Sequence, residues 1–216
     1  MKLVISIYRS SNLEYNNHMH KANGYEENAA TFINNRARAD NTTGTSSVRH
    51  WAKTLPADAT VLDVGCGPGL PITNVLVDEG LNVYALDASP SLVQAFKQNF
   101  PHVPIACEAL EDSSFFSRQF DAILAWGLLF LLPEEIQEVA IRKMADALQM
   151  GGKLLFTAPA QKARWEDVIT LQESVSLGSE KYKELLTAVG LTVIEEFEDE
   201  GENHYYSAVK TTKNLA

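Results

Sequence analysis

Residues Val61 to Gly69 read Val-Leu-Asp-Val-Gly-Cys-Gly-Pro-Gly, and this stretch concentrates more chemistry than any other in the 216-residue chain. An apolar strand carrying Asp63 runs into a turn with glycines at 65, 67 and 69. Glycine lets the backbone approach a ligand closely, and a helix starting just beyond such a turn offers N–H groups without intrahelical partners. A second apolar strand over 82–86 ends on Asp87. A carboxylate at that point of a βαβ unit is placed to take ribose hydroxyls. The pattern predicts a nucleotide-type cofactor, and two details narrow it. A dinucleotide fingerprint, G-x-G-x-x-G, needs its third glycine where this chain has Leu70. Asp63 would also repel a pyrophosphate, whereas it would attract a cationic amino group.

Such residues need a scaffold that brings strand ends together. The chain alternates strand and helix in the manner of a mainly parallel sheet. Strands are predicted near 60–64, 82–86, 103–106, 120–125 and 152–157, with helices near 70–79, 89–99 and 134–148. Ser89-Pro90 reads as an N-cap with proline at the first helical position, and Pro133-Glu134-Glu135 opens the next helix similarly. Residues 160–179, with Trp165, read as an insert. A helix from Ser179 to about Val189 precedes strands over 191–197 and 204–210, joined by a short polar turn. So short a connection makes that pair antiparallel. Upstream, 26–38 and 47–54 read as helices. The expected architecture is α/β, a Rossmann-like three-layer sandwich. Its seven-stranded sheet is mostly parallel with an antiparallel last strand. Residues 1–55 would form an N-terminal extension and helical cap, and 56–216 the cofactor-binding core, in a single domain overall.

S-adenosylmethionine carries an ammonium, a sulfonium, a ribose and an adenine but no phosphate, so it meets both details. On these residues the sequence resembles the class I S-adenosylmethionine-dependent methyltransferases of the type 11/12 kind. Four motifs carry the resemblance in order: Asp63–Gly69, Leu86-Asp87-Ala88-Ser89, Phe120-Asp121-Ala122-Ile123-Leu124 and Gly151-Gly152-Lys153-Leu154-Leu155-Phe156. It covers roughly 58–160 and implies S-adenosylmethionine as cofactor, S-adenosylhomocysteine as product, and no metal. It places Asp63, Gly65, Cys66, Gly67 and Gly69 around the methionine part, with Asp63 toward the ammonium. Asp87 would hold the ribose, with Ala88 and Ser89 beside the adenosine. Ala109, Leu110 and Glu111 would follow the adenine edge, and Ala125 and Trp126 would touch the cofactor's centre. Arg36, with Arg38 as second choice, would reach the cofactor carboxylate.

A sulfonium is already a good leaving group, so the protein's part in methyl transfer is alignment and exclusion of water. Tyr25, Trp126, Trp165, His204 and Tyr205 are the candidates on the substrate side. His204 is the candidate general base, histidine being the side chain that titrates nearest neutrality. A hydrogen-bonded hairpin histidine is its competing role. The function expected is methyl transfer to an O, N or S atom of a small molecule. Methylation of a protein or tRNA, or cofactor binding without catalysis, are the alternatives.

Composition sets broad limits. A net charge of −10 argues against a nucleic-acid partner, which basic patches would serve. No segment approaches the apolar run of a membrane helix; Leu128–Pro133 is very apolar but short. Met1–Ile7 is too short for a secretory signal, which makes the cytoplasm the expected location. Cys66, in the glycine loop after the first strand, and Cys107, just past the third, are separated by the second strand, beyond disulfide reach, and read as free thiols. His18 and His20 lack further ligands at metal spacing and belong to an irregular N-terminus. The acidic run over 195–202 reads as a solvated strand edge and turn. The expected assembly is a monomer or homodimer.

Overall fold

The computed structural model describes residues 21–38 and 40–211. The expectations for residues 1–20, including His18 and His20, lie outside the described residues. Two short helices lead, α1 (Ala29–Arg36) and α2 (Thr45–Ala52). The alternation then runs β1 (Thr60–Val64), α3 (Ile72–Asp78), β2 (Asn82–Asp87), α4 (Pro90–Asn99), β3 (Ile105–Cys107), β4 (Phe120–Ala125), α5 (Glu134–Ala147) and β5 (Leu148–Thr157). A hairpin of β6 (Ala163–Glu166) and β7 (Glu173–Ser176) precedes α6 (Ser179–Ala188), β8 (Leu191–Glu198) and β9 (His204–Lys210).

Seven strands form one sheet in the order β3-β2-β1-β4-β5-β9-β8, and only β9 runs against its neighbours. The central strands are apolar on both faces, as a covered parallel sheet requires. Alternate residues therefore serve different layers. Leu62, Val64 and Ile123 pack with Ile141 and Met144 of α5 and with Tyr182 and Leu186 of α6. Val61, Val83 and Leu124 pack with Val48 and Trp51 of α2 and with Val75 and Leu76 of α3. Ala85 packs with Phe96 of α4. Helix α2, read from sequence as part of a cap, thus lies directly on the sheet. Asp63 is in register with Ala85, so it shares the face covered by α3 and α4.

Several boundaries differ from the sequence reading. The expected first helix over 26–38 is regular only at Ala29–Arg36. The third strand sits at 105–107 rather than 103–106. Strand β5 begins directly at the end of α5, at Leu148 rather than 152, because fully buried Leu148 pairs with Phe120. The insert is itself ordered: β6 and β7 pair antiparallel, apart from the main sheet. Its base is fixed by fully buried Gln137, whose Nε2 donates to the carbonyls of Leu132 and Val175 while its Oε1 accepts from Tyr182. No helix among the described residues is long and apolar enough to cross a membrane.

Candidate functional site

A cleft of about 950 Å³, including its open mouth, lies at the carboxyl ends of β1, β2 and β4 and beside the loop after β3. This is where open α/β sheets bind ligands. Its floor is the glycine turn. Gly65 and Cys66 both donate their amides to the Leu86 carbonyl, at 2.7 and 3.1 Å, which ties the turn to the end of β2. Gly65 has φ +70°, and a Cβ there would meet the Leu128 side chain at 2.9 Å.

Two carboxylates converge on the turn. Asp63 is 2% exposed, and its single side-chain donor is the Thr73 hydroxyl of α3 at 2.6 Å. Burial pushes its pKa up to about 7, opposed by Thr73 and reinforced by the nearby charge of Asp87. Asp87 is 9% exposed and accepts from the Gly67 amide at 2.8 Å and the Ser89 amide at 2.9 Å. Burial raises its pKa to about 6, against those amides. The same burial, with both carboxylates adding to it, pushes the Cys66 thiol well above its ordinary value, so it is not a ready nucleophile.

Among the described residues two cations line the cleft; Lys21 is paired with Asp112 and Glu111, and the other is Arg36 at the end of α1. Its guanidinium lies over Phe32 at 4.9 Å and over Trp126 at 4.8 Å from the ring centroids. Burial lowers its pKa, and no carboxylate among the described residues pairs with it. Trp126 is fixed from behind: its indole N–H donates to the Tyr205 hydroxyl at 2.9 Å, which donates to Asp199 at 2.7 Å. Gly44 (φ +80°) presses on the same indole, since a Cβ there would lie 2.7 Å from Nε1. Tyr25 packs edge-on against Phe32 at 5.0 Å. Burial and the Asp167 charge hold its hydroxyl neutral, well above the usual range. Leu128, Leu131 and Leu132 close the wall apolar.

The structure brings Tyr25, Arg36, Asp63, Gly65, Cys66, Gly67, Asp87, Ala88, Ala109, Leu110, Glu111 and Trp126 together around this cleft. Six other sequence candidates stand elsewhere. Gly69 (φ +81°) faces Phe96 and Phe100. Ser89 is the N-cap of α4, accepting from the Leu92 amide. Ala125 is buried in the core. Trp165 is on the hairpin, tilted against Phe130 at 5.7 Å. Tyr205 stands behind Trp126. His204 sits between Glu196 and Glu198, 3.3 Å from each, outside the cleft lining. Arg38, the second choice for a carboxylate, is committed to Asp40. Residues missed from the sequence include Thr73, Phe32 and Asn23; Thr73 had a signal, standing ten residues after Asp63 on the first helix of the βαβ unit. Among the described residues no group of three or more His, Cys, Asp or Glu could hold a metal ion.

Two buried acids and one unpaired guanidinium in one cleft match a zwitterion attached to a polar ring system. The acids suit an ammonium and hydroxyls, and the guanidinium a carboxylate. Comparison with known proteins agrees with that chemistry. Residues 61–152 match a family model described as a methyltransferase domain. Aklanonic acid methyltransferase DauC of Streptomyces sp. (strain C5) is 27% identical over 111 residues, 48% of this chain and 49% of the relative. The tRNA N(3)-cytidine methyltransferase METTL2 of Danio rerio is 34% identical over 107 residues, 44% of this chain and 30% of the relative. The chain spans about half the length of the first of these relatives and less of the second. A TehB-like SAM-dependent methyltransferase from Corynebacterium glutamicum superposes with a TM-score of 0.68 at 24% identity, covering 87% of this chain and 98% of the other, a likeness of fold.

Proposed function

We propose that the chain is a class I S-adenosylmethionine-dependent methyltransferase, on the match of residues 61–152 to a methyltransferase domain, and that it transfers a methyl group from S-adenosylmethionine to an oxygen, nitrogen or sulfur atom of a small molecule. One observation carries the reading: buried Asp63 and the unpaired Arg36 line the same cleft, which fits the ammonium and carboxylate of an amino-acid moiety. Asp63 would hold that ammonium and Arg36 that carboxylate. Asp87 would accept from the ribose hydroxyls with the lone pairs left free by Gly67 and Ser89. Ala109 and Leu110 would lie along the adenine edge. When bound, the cofactor supplies a methyl group on a sulfonium, a good leaving group. The remaining work falls to the chain itself. Trp126, braced by Tyr205, and the wall of Leu128, Leu131 and Leu132 position the acceptor and keep water out.

The small-molecule part rests on the net charge of −10, which disfavours a polyanionic substrate. Calorimetry with S-adenosylmethionine, S-adenosylhomocysteine and NAD tests the cofactor. Binding of NAD without either sulfur compound would overturn it. Labelled methyl transfer into a metabolite pool, a tRNA pool and a protein pool tests the acceptor. Label appearing only in tRNA or protein refutes the small-molecule part.

A further inference from the structure

The segment from Lys21 to Glu26 borders the cleft and is pinned at both ends. Lys21 Nζ donates to Asp112 at 2.6 Å and lies 3.4 Å from Glu111, which holds one end on the loop after β3. At the other end the Glu26 carboxylate accepts from the Ser91 amide at 3.0 Å, from the Ser91 hydroxyl at 2.7 Å and from the Ser89 hydroxyl, on the loop after β2. Asn23 stands between these anchors and lines the cleft. Its Nδ2 is shut off from water and has no hydrogen-bond partner among the described residues. Native proteins pair nearly all buried polar groups, so an exception needs a reason. Backbone conformation gives half of one. Asn23 has φ +48°, a left-handed conformation that asparagine tolerates better than most residues. That accounts for the residue type but not for a buried, unpaired amide. An amide donor set in the wall of a small-molecule cleft, with no protein acceptor, is a donor for a ligand.

The anchors identify the part of the ligand. On the proposed function, upon which this inference rests, Asp87 beside one anchor takes the ribose and Leu110 beside the other follows the adenine. The ligand between those loops is the nucleoside. We propose that Asn23 donates through Nδ2 to a lone pair on the adenosine half of the cofactor, a purine ring nitrogen or a ribose oxygen. It is thereby a specificity residue for the nucleoside.

Two substitutions that tolerate the left-handed backbone test this. Asn23→Gly removes the donor, and Asn23→Asp keeps the shape while exchanging the donor for acceptors. Each is titrated calorimetrically with S-adenosylhomocysteine and with 5′-methylthioadenosine, which keeps the adenosine but lacks the amino-acid moiety. Asn23→Gly weakens both ligands equally, by about three- to tenfold, the worth of one neutral hydrogen bond. Asn23→Asp weakens both at least as much, whereas Arg36→Met weakens S-adenosylhomocysteine alone. The ligand-free melting temperature of Asn23→Gly stays at the wild-type value, because the deleted amide was unpaired. Unchanged affinity for both ligands, a loss confined to S-adenosylhomocysteine, or a matching fall in ligand-free stability overturns the proposal. A wild-type protein that binds neither compound overturns the proposed function itself, before any variant is compared.

Discussion

The two buried acids make cofactor affinity depend on pH in a direction the structure fixes. In the free protein Asp63 titrates at about 7 and Asp87 at about 6, both lifted by burial. An unfolded aspartate titrates at about 3.9, so the native state holds extra protons between those values. Stability from these groups is therefore fully present below about pH 4 and is lost as pH rises through about 6 and then 7. On the proposed assignment ligand binding works in the opposite sense, because an ammonium and ribose hydroxyls favour the ionised acids. At pH 6 about a tenth of Asp63 and half of Asp87 are ionised, together about one-twentieth of the molecules; at pH 8 nearly all are. S-adenosylhomocysteine should bind about twentyfold more tightly at pH 8 than at pH 6, with release of about one proton or more at the lower pH. Titration calorimetry in paired buffers of different ionisation enthalpy reads both quantities. Asp63→Asn should leave only the roughly twofold dependence due to Asp87. Thr73→Val should move the transition upward, since the Thr73 hydroxyl is what holds Asp63 down. An affinity flat from pH 6 to 8, with no proton released, would refute the assignment of Asp63 to the ligand's ammonium.

Gly69→Ala forces a left-handed residue to carry a Cβ into Phe100 and to 3.0 Å from Phe96; it should cost about 2–4 kcal/mol in urea unfolding, from strain and overpacking combined. Gln137→Leu removes the donor to the carbonyls of Leu132 and Val175 and the acceptor of the Tyr182 O–H, all in the core. It should cost about 3–5 kcal/mol and open the 160–178 hairpin to limited proteolysis, which a gel follows directly. His204→Gln should leave turnover and its pH profile at wild-type values once an acceptor is in hand, because the ring is held by Glu196 and Glu198 outside the cleft lining; a hundredfold fall would restore it as a base.

What could be read from the sequence was whatever local chemistry dictates. The glycine turn, Asp87, the Ser89-Pro90 cap and the antiparallel last strand each follow from rules acting over a few residues, and the structure has them where the sequence puts them. What long-range packing decides was harder to see. Tyr205 carries the residue type of a substrate contact, yet its hydroxyl is spent on Trp126 and Asp199. Trp165 reads as an acceptor-side aromatic, but the pairing of β6 with β7 sets it against Phe130. Gly69 belongs to the motif by spacing and to the core by contact. The apolar run 128–132 was notable in sequence only for being too short to cross a membrane. In the fold it supplies the cleft wall and the side chain that excludes a Cβ at Gly65.

The cleft also places its charges where they weaken the free protein. Among the described residues Asp63 has a single side-chain donor, Arg36 has aromatic rings but no counter-ion, and the Asn23 amide has no partner. Each would be better solvated in the unfolded chain. Two of these three groups, Arg36 and Asn23, are on the segment from Lys21 to α1, whose contacts with the rest of the molecule include Lys21 on Asp112, Glu26 on Ser89 and Ser91, and Arg36 on Trp126. A ligand that completes the partners of these groups restores stability mainly at that segment. On the proposed assignment, ligand affinity and the stability of this N-terminal segment are thermodynamically linked.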